Sequence, residues 1–184
     1  MKLYTTNNIT ELLFNPSNPW HVQLQERIVP LILEGCEHYI PNVHAQMAIL
    51  EHDNVQLPIS INEHPRTSYV ANPLNYIEYG HDEIDIEVPS GVLNSIMHGL
   101  VSTLWYPFKM AGFHKVVVVN NWLLSTNLYP LTITKTQIYN ITQFLKAKYP
   151  GHTIMWRSLN ETHHGHYMRY FKELQYMFVP SRQI

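Results

Sequence analysis

The chain has 184 residues, 45% of them hydrophobic, which is enough for a single domain over residues 1–184 with a substantial core. Only 14% of the residues are charged and the formal net charge is −2, so the composition excludes an intrinsically disordered chain. Cys36 is the one cysteine in the sequence, which excludes an intrachain disulfide and a cysteine-based zinc cluster.

The first predicted element is a helix over residues 18–38. Asn18 is a typical N-cap residue, and Pro19 occupies the first helical position, where its missing N–H costs nothing. Pro30 is expected to kink this helix. The residues before it, MKLYTTNNITELLF, lack the long apolar stretch of a signal peptide, so we predict a cytoplasmic protein.

Two strands are predicted next, in residues 44–62, and they form an antiparallel hairpin around the turn HDN. Pro58 lacks a backbone donor, so the second strand is expected to lie at a sheet edge or to be bulged. Further along, Ile84, Ile86 and Val88 alternate with acidic residues. That alternation favours a half-buried strand, although the same register also suits the start of a helix.

Residues 91–111 form the most apolar segment of the chain. Apolar residues recur there at the i, i+3, i+4 and i+7 spacing of a helix, and no charged residue occurs between Val88 and Lys109. Several Asn, Ser, Thr and His residues make this segment too polar for a membrane span. We therefore predict a buried core helix that packs beneath the sheet.

The C-terminal part alternates strands and helices. Residues 115–124 include four consecutive valines, which are typical of a central strand covered on both faces. Residues 134–151 predict an amphipathic helix, with Thr134 and Gln137 in a capping-box pattern. The order β-α-β-α-β requires at least partly parallel strands. The remaining elements are a strand over 152–159, a helix over 162–177 and a last strand that begins in YMFVPS.

Neutral polar side chains follow the predicted central strand, and Arg157, Ser158 and Asn160 follow the next strand. Ligands of open α/β sheets bind beyond the carboxyl ends of the strands, so adjacent strands would bring both clusters to one crevice. Arg157 could then pair with a carboxylate or phosphate. Alternatively, these residues only cap and turn the chain. The cluster after the central strand contains Asn120, Asn121, Ser125, Thr126 and Asn127.

Three histidines, His163, His164 and His166, lie at the start of the last predicted helix. Imidazole titrates near neutrality, so His164 is a candidate general base. A metal site needs three or four converging ligands, and the simplest interpretation of this cluster is a solvated helix start. We therefore predict no metal.

The order of elements in roughly residues 44–184 resembles that of the GNAT acyltransferase superfamily, including its Fem-type aminoacyl-transferring relatives. The segments that carry the resemblance are VVVVNNWLLSTNLYP, the helix from Thr134, HTIMWRSLN and the helix ending in VPSRQI. The resemblance implies a GNAT-like mixed α/β sheet, in which an antiparallel hairpin precedes β-α-β-α-β and two central strands splay apart around an acyl carrier. The family's glycine-rich pyrophosphate loop has no counterpart in STNLYPLTITKTQ, so the carrier is either acyl-coenzyme A or another acyl carrier.

The resemblance implies an acyl- or aminoacyl-transferase that acts on a small amine-bearing substrate. Asn120 and Asn121 would hold the acceptor or the acyl carbonyl, while residues 125–127 would face the anionic part of the carrier. Arg157 would grip a carboxylate or phosphate, beside Ser158 and Asn160. The alternative is a non-catalytic small-molecule-binding or assembly module of the same fold.

Partners follow from the charge distribution and from the chain's last residues. Residues 1–108 contain three basic and twelve acidic residues, whereas residues 109–184 contain nine basic and two acidic residues. Either the basic part meets an anionic partner or the two parts neutralise each other. No nucleic-acid-binding motif is recognisable, so neither nucleic acid nor membrane is a predicted partner. The incomplete last strand, YMFVPSRQI, predicts a homodimer or a second chain that completes the sheet.

Overall fold

Five strands form one mixed sheet in the computed structural model of the chain, which describes residues 1–130 and 133–179. The strands lie across the sheet in chain order. Each of the first three pairs antiparallel with the next, and the fifth is parallel to the fourth. The predicted mixed α/β sheet is therefore confirmed. The strands are β1 (Lys2–Tyr4), β2 (Gln46–His52), β3 (Val55–Asn62), β4 (Val116–Val119) and β5 (Thr153–Trp156).

Helices occupy most of the chain between the strands. The short N-terminal helices are joined by a π-helical turn at Leu24–Ile28, and the later helices are longer. The helices are α1 (Pro19–Gln23), α2 (Val29–Glu34), α3 (Cys36–Tyr39), α4 (Asn75–Glu87), α5 (Val92–Met110), α6 (Lys135–Lys148) and α7 (Glu161–Glu173).

The core lies on both faces of the sheet. Met47 and Ile49 of β2 pack with the N-terminal helices on one face. Ala48 and Leu50 of the same strand point the other way and pack with α6 and α7. All four valines of β4 are fully buried. The prediction of a strand covered on both faces is therefore confirmed. A strand buried on both faces has a continuous apolar run rather than alternating apolar and polar residues.

The predicted hairpin is confirmed, but an edge position for its second strand is wrong. β3 lies between β2 and β4. The carbonyl of Pro58 accepts a hydrogen bond from the backbone N–H of Asn121 at 2.8 Å. In an antiparallel pair, the N and O atoms of one residue face the same neighbouring strand. The nitrogen of Pro58, which lacks a hydrogen, therefore faces the β4 side of the sheet, beyond Val119, the last residue of β4. The proline is tolerated because that ladder has already ended.

The N-terminal helix begins as predicted. The side chain of Asn18 accepts a hydrogen bond from the N–H of Trp20 at 3.0 Å, and Pro19 follows the cap. The disturbance expected at Pro30 takes the form of the π-helical turn that immediately precedes α2, in which the N–H of Val29 bonds to the carbonyl of Leu24. Gly35, at φ 86°, ends α2.

The order β4–α6–β5–α7 is confirmed, including the capping box of α6. Thr134 accepts from the N–H of Gln137 at 3.2 Å, and the Gln137 side chain accepts from the N–H of Thr134 at 2.9 Å. Residues 176–179, where the last strand was expected to begin, are not in a strand, and residues 180–184 lie outside the described part of the chain.

The strand expected from the alternation at residues 84–88 is wrong, because this segment ends helix α4. Ile84 is buried, whereas Ile86 is 80% exposed, so the two isoleucines do not share a face. The helical alternative puts Asp85 one turn from His81, and the Asp85 carboxylate lies 2.8 Å from Nε2 of His98 on α5.

The helix expected over residues 91–111 exists as α5, but its predicted burial beneath the sheet is wrong. No residue of α5 is buried, and the helix packs chiefly against α4. Within residues 1–130 and 133–179, no helix combines the length and apolarity needed to cross a membrane.

Candidate functional site

The carboxyl ends of β4 and β5 lie side by side, as the sequence predicts for the candidate site. The two parallel strands stay paired up to Val119 and Trp156. Beyond that level the backbone turns through left-handed residues, Asn120 at φ 57° after β4 and Ser158 at φ 62° after β5. Such conformations are uncommon for non-glycine residues and cluster at functional sites.

Asn120 is fully buried and holds the chain after β4 in a tight loop. Its Nδ2 donates to the carbonyl of Leu128, and its Oδ1 accepts from Nε1 of Trp122 at 3.2 Å. Both the NH₂ group and the oxygen of this buried amide are therefore hydrogen-bonded, which fixes its orientation. Asn120 therefore closes the loop over residues 121–128.

Asn121 is also fully buried and connects three segments of the chain. Its Nδ2 donates both hydrogens, to Oγ of Ser60 at 2.7 Å and to the carbonyl of Val70 at 2.8 Å. Its Oδ1 accepts from the N–H of Leu123 at 3.1 Å. Because both amide hydrogens are engaged, Asn121 has no donor left for a ligand.

The loop after Asn121 has a buried base and an exposed tip. Asn127 is 4% exposed, and its Oδ1 accepts from the N–H of Trp122 at 3.1 Å. The Nδ2 of Asn127 has no partner among the described residues. Ser125 and Thr126 are exposed at the tip. Of the five polar residues predicted after β4, these two are the accessible ones.

Tyr129 fills the space between the segment that follows β4 and the segment that follows β5. Its hydroxyl donates to the carbonyl of Arg157 at 2.6 Å, and its ring centroid lies 4.8 Å from that of His164. Burial raises the pKa of the Tyr129 hydroxyl, so the phenol stays neutral and acts as a donor. The sequence analysis missed this residue. Its only signal in the sequence is an aromatic residue two positions after the last asparagine of the polar cluster.

Arg157 is half-buried on the same edge. Its Nη1 donates to the carbonyl of Val70 at 2.8 Å, the same oxygen that Asn121 contacts, so the two predicted clusters do meet. Its guanidinium lies 5.9 Å from the ring centroid of Tyr69. Among the described residues, no carboxylate lies within 4.0 Å of it. The charge therefore has no close counter-ion there.

Asn160 and His164 form a reciprocal cap at the start of α7. The Asn160 side chain accepts from the N–H of His163 at 2.8 Å, and Nδ1 of His164 accepts from the N–H of Asn160 at 3.3 Å. Because Nδ1 accepts, the neutral imidazole carries its proton on Nε2. Burial, together with electrostatic repulsion from His163 and His166, lowers the pKa of His164 and favours this neutral form.

Metal binding finds no support in this region. His163 and His166 are exposed on the first turns of α7. Within the described residues, no group of three or more His, Cys, Asp or Glu side chains has the geometry to hold a metal ion.

A concave region with a volume of about 330 Å³ lies elsewhere, between the loop after β3 and α4. Its charged side chains include Arg66 and Glu78, whose Nε and Oε1 atoms are 3.4 Å apart. Because the Arg66 guanidinium already has a carboxylate partner, it offers less to an anionic ligand than the Arg157 guanidinium does.

Comparisons with family models, with curated proteins and with solved structures found no match to this chain. The function must therefore be argued from the site itself.

Proposed function

We propose that the chain is an acyl- or aminoacyl-transferase of the GNAT-like kind, which binds a small amine-bearing substrate beyond the carboxyl ends of β4 and β5. The observation that carries this proposal is the half-buried guanidinium of Arg157, which has no carboxylate partner among the described residues. A partly desolvated charge gains most from an anionic ligand that forms charge-assisted hydrogen bonds with it. The carboxylate of an amino acid or the phosphate of an acyl carrier has that chemistry.

His164 has the geometry of a hydrogen-bond donor in this proposal rather than that of the general base suggested by its sequence position. Its Nδ1 is occupied by the N–H of Asn160, so the available atom is the protonated Nε2. A donor aimed at an acyl carbonyl stabilises the oxyanion that forms when the amine attacks. Attack by the amine forms the new C–N bond together with this oxyanion. Collapse of the oxyanion then breaks the bond to the acyl carrier, which leaves with the proton that the amine loses.

The asparagines act through position in this proposal. Asn120 and Asn121 hold the loop and the Val70 carbonyl that orients Arg157. Ser158 is half-buried at the same edge, and Ser125 and Thr126 are exposed at the tip of the loop after β4. These hydroxyl groups can bond the polar parts of a substrate.

The first test is ligand-induced stabilisation. Melting temperatures of the chain and of Arg157→Ala are measured with acetyl-coenzyme A, longer acyl-coenzyme A and free amino acids. A ligand should raise the melting temperature of the parent chain, and Arg157→Ala should abolish the rise, because a bond to a charged group contributes about 1.5–3 kcal/mol. Arg169→Ala removes an exposed arginine of α7 and is the matched control. Equal losses in both variants would contradict the proposal.

The second test separates the roles of His164. Acyl transfer to a panel of amines is followed by release of the free carrier. His164→Ala should lower turnover by about 100-fold or more, as loss of an oxyanion donor does. His164→Gln should recover part of the rate, because its amide N–H reaches close to the position of Nε2. His166→Ala, an exposed neighbour, should leave the rate unchanged.

A second function, a non-catalytic binding or assembly module, is favoured by one observation. The space beyond β4 and β5 is filled by Tyr129, and the amides of Asn120 and Asn121 bond within the protein. Ligand-induced stabilisation that depends on Arg157, without turnover of any donor, would select this alternative.

A further inference from the structure

Helix α5 carries apolar side chains on both of its sides, and the side that packs on the rest of the protein includes the half-buried Met97 and Phe108. The half-buried residues Asn94, His98, Val101 and Trp105 recur at spacings of three and four and define that side. His98 contacts α4, with Nδ1 of its ring 2.6 Å from Nδ1 of His81, and a Cβ built on Gly80 would lie 3.5 Å from a methyl group of Val101. An isolated surface helix normally turns its apolar side inward.

Six further apolar side chains, on the opposite side of α5, point to solvent. Each of the six that define this surface, which we call the α5 outer face, is more than half exposed, from 55% for Ile96 to 79% for Val92. Monomeric proteins rarely expose a continuous apolar surface of more than a few hundred Å². The α5 outer face consists of Val92, Leu93, Ile96, Leu100, Leu104 and Met110.

We propose that the α5 outer face is the interface of a homodimer, in which α5 packs antiparallel against α5 of a second copy. This surface is distinct from the sheet edge on which the sequence-based expectation of a homodimer rested. Three properties favour a second copy as the occupant of this face: the area of the face, its charge and a glycine near the middle of α5.

The area matches a stable dimer. Six side chains, with the flanking and 61% exposed Tyr106, at roughly 100 Å² each, approach the ~800 Å² per partner that a standard protein interface buries. The apolar composition resembles the cores of homodimer interfaces, which are depleted in charged residues.

The charge allows a second copy to approach. No Asp, Glu, Lys or Arg occurs between Val88 and Lys109, so two outer faces meet without like-charge repulsion. A membrane surface fits less well. Interfacial helices carry many Lys and Arg residues on their polar side, whereas α5 offers only Lys109, and the adjacent α4 exposes Asp82 and Glu87.

Gly99 lies near the middle of α5 and is exposed, with no atom within 4 Å of a Cβ placed there. Glycine is unfavourable inside a helix relative to alanine, so its presence there needs compensation. In an antiparallel pair the middle of one helix crosses the middle of the other, and a small residue lets the two backbones approach closely.

The test is the mass of the species in solution. Sedimentation equilibrium is measured for the parent chain and for Leu100→Glu/Leu104→Glu over a wide concentration range. The parent should sediment at twice the chain mass, and the double variant should weaken self-association by more than about 100-fold, because each copy would bury two unpaired carboxylates. Ile86→Glu is the matched control, since Ile86 is 80% exposed on α4 and lies outside the face.

An engineered disulfide keeps the test informative if the acidic variants fail to fold. Leu100→Cys should form a covalent dimer on mild oxidation, whereas Ile86→Cys should not. The buried Cys36 takes no part in either variant. A parent chain that remains monomeric at all concentrations, or that associates only in the presence of anionic lipid vesicles, would overturn the proposal. So would dimerisation that persists in the double variant.

Discussion

Asn121 shows why a run of buried valines can end in polar residues. Beyond Val119 the chain no longer pairs with β5, and polar groups of β3, of the loop after β3 and of the loop after β4 still need partners. The side chain of Asn121 supplies them, with donors to Ser60 and Val70 and an acceptor for Leu123. A neutral amide can meet both needs, which a charged or apolar side chain cannot.

Replacement of Asn121 by alanine should therefore destabilise the fold. The change leaves the Ser60 hydroxyl, the Val70 carbonyl and the Leu123 N–H without this partner, and each uncompensated buried group costs about 1–3 kcal/mol. Urea titration should show a loss of about 3 kcal/mol, whereas Ser125→Ala at the exposed loop tip should cost less than about 0.5 kcal/mol. Unchanged stability with lost ligand binding would instead assign Asn121 to direct substrate contact.

Cys36 should be chemically inert in the folded chain. It is 2% exposed, and burial, with a smaller contribution from the Glu37 charge, raises the pKa of its thiol from 9.0 to about 11. Alkylation by iodoacetamide at pH 7.5 should then be at least about 100-fold slower than in guanidinium, where the thiolate fraction is restored. Similar rates in the folded and unfolded chains would show that the helix around Cys36 opens readily.

Elements defined by local chemistry could be predicted from the sequence. The hairpin has a turn sequence between two β-rich runs, and α6 has a capping box and an apolar stripe. For α5 the helical period was also clear. Its orientation was not, because apolar residues lie on both sides of the helix and the inward side is chosen by contacts with His81 and Asp85 on α4. No periodicity within α5 carries that information.

The place of the candidate site in the fold was predictable, but its contacts were not. Strand ends could be located from the valine run and from HTIMW, so the meeting of Asn121 and Arg157 was foreseeable. The carbonyl of Val70, which both contact, lies 51 and 87 residues away along the chain, in a loop without a distinctive pattern. Contacts at such separation depend on the whole fold.

The capping box of α6 provides a prediction at the scale of one helix. Thr134 accepts from the N–H of Gln137, which otherwise has no intrahelical partner. Thr134→Ala should lower the free energy of unfolding by about 1 kcal/mol, and Thr134→Ser should restore most of it because the hydroxyl is retained. Equal stability of all three proteins in thermal melts would mean that α6 is held by its packing on the sheet alone.

The folded state favours the neutral form of two histidines in different parts of the chain. His164 lies in the first turn of α7, which covers one face of the sheet, and His114 precedes β4. Burial, assisted by the charges of Lys115 and Lys109, lowers the pKa of His114, and its Nδ1 is buried without a partner among the described residues. Both imidazoles therefore favour folding only while they are uncharged.

The stability of the whole chain should consequently fall as the pH drops through about 6.5, the ordinary pKa of histidine. Below that pH the unfolded chain binds protons that the folded chain excludes, so the contribution of each histidine is full at pH 7.5 and is lost progressively until the folded pKa is passed. The other ionisable groups of the chain are the same in a variant that changes only these two histidines, so a comparison with such a variant isolates their contribution. The measurement is therefore the difference between the parent chain and His114→Gln/His164→Gln in urea titrations at pH 7.5 and 5.5. The parent should lose more stability than the double variant, and equal losses would show that neither imidazole is held neutral by the fold.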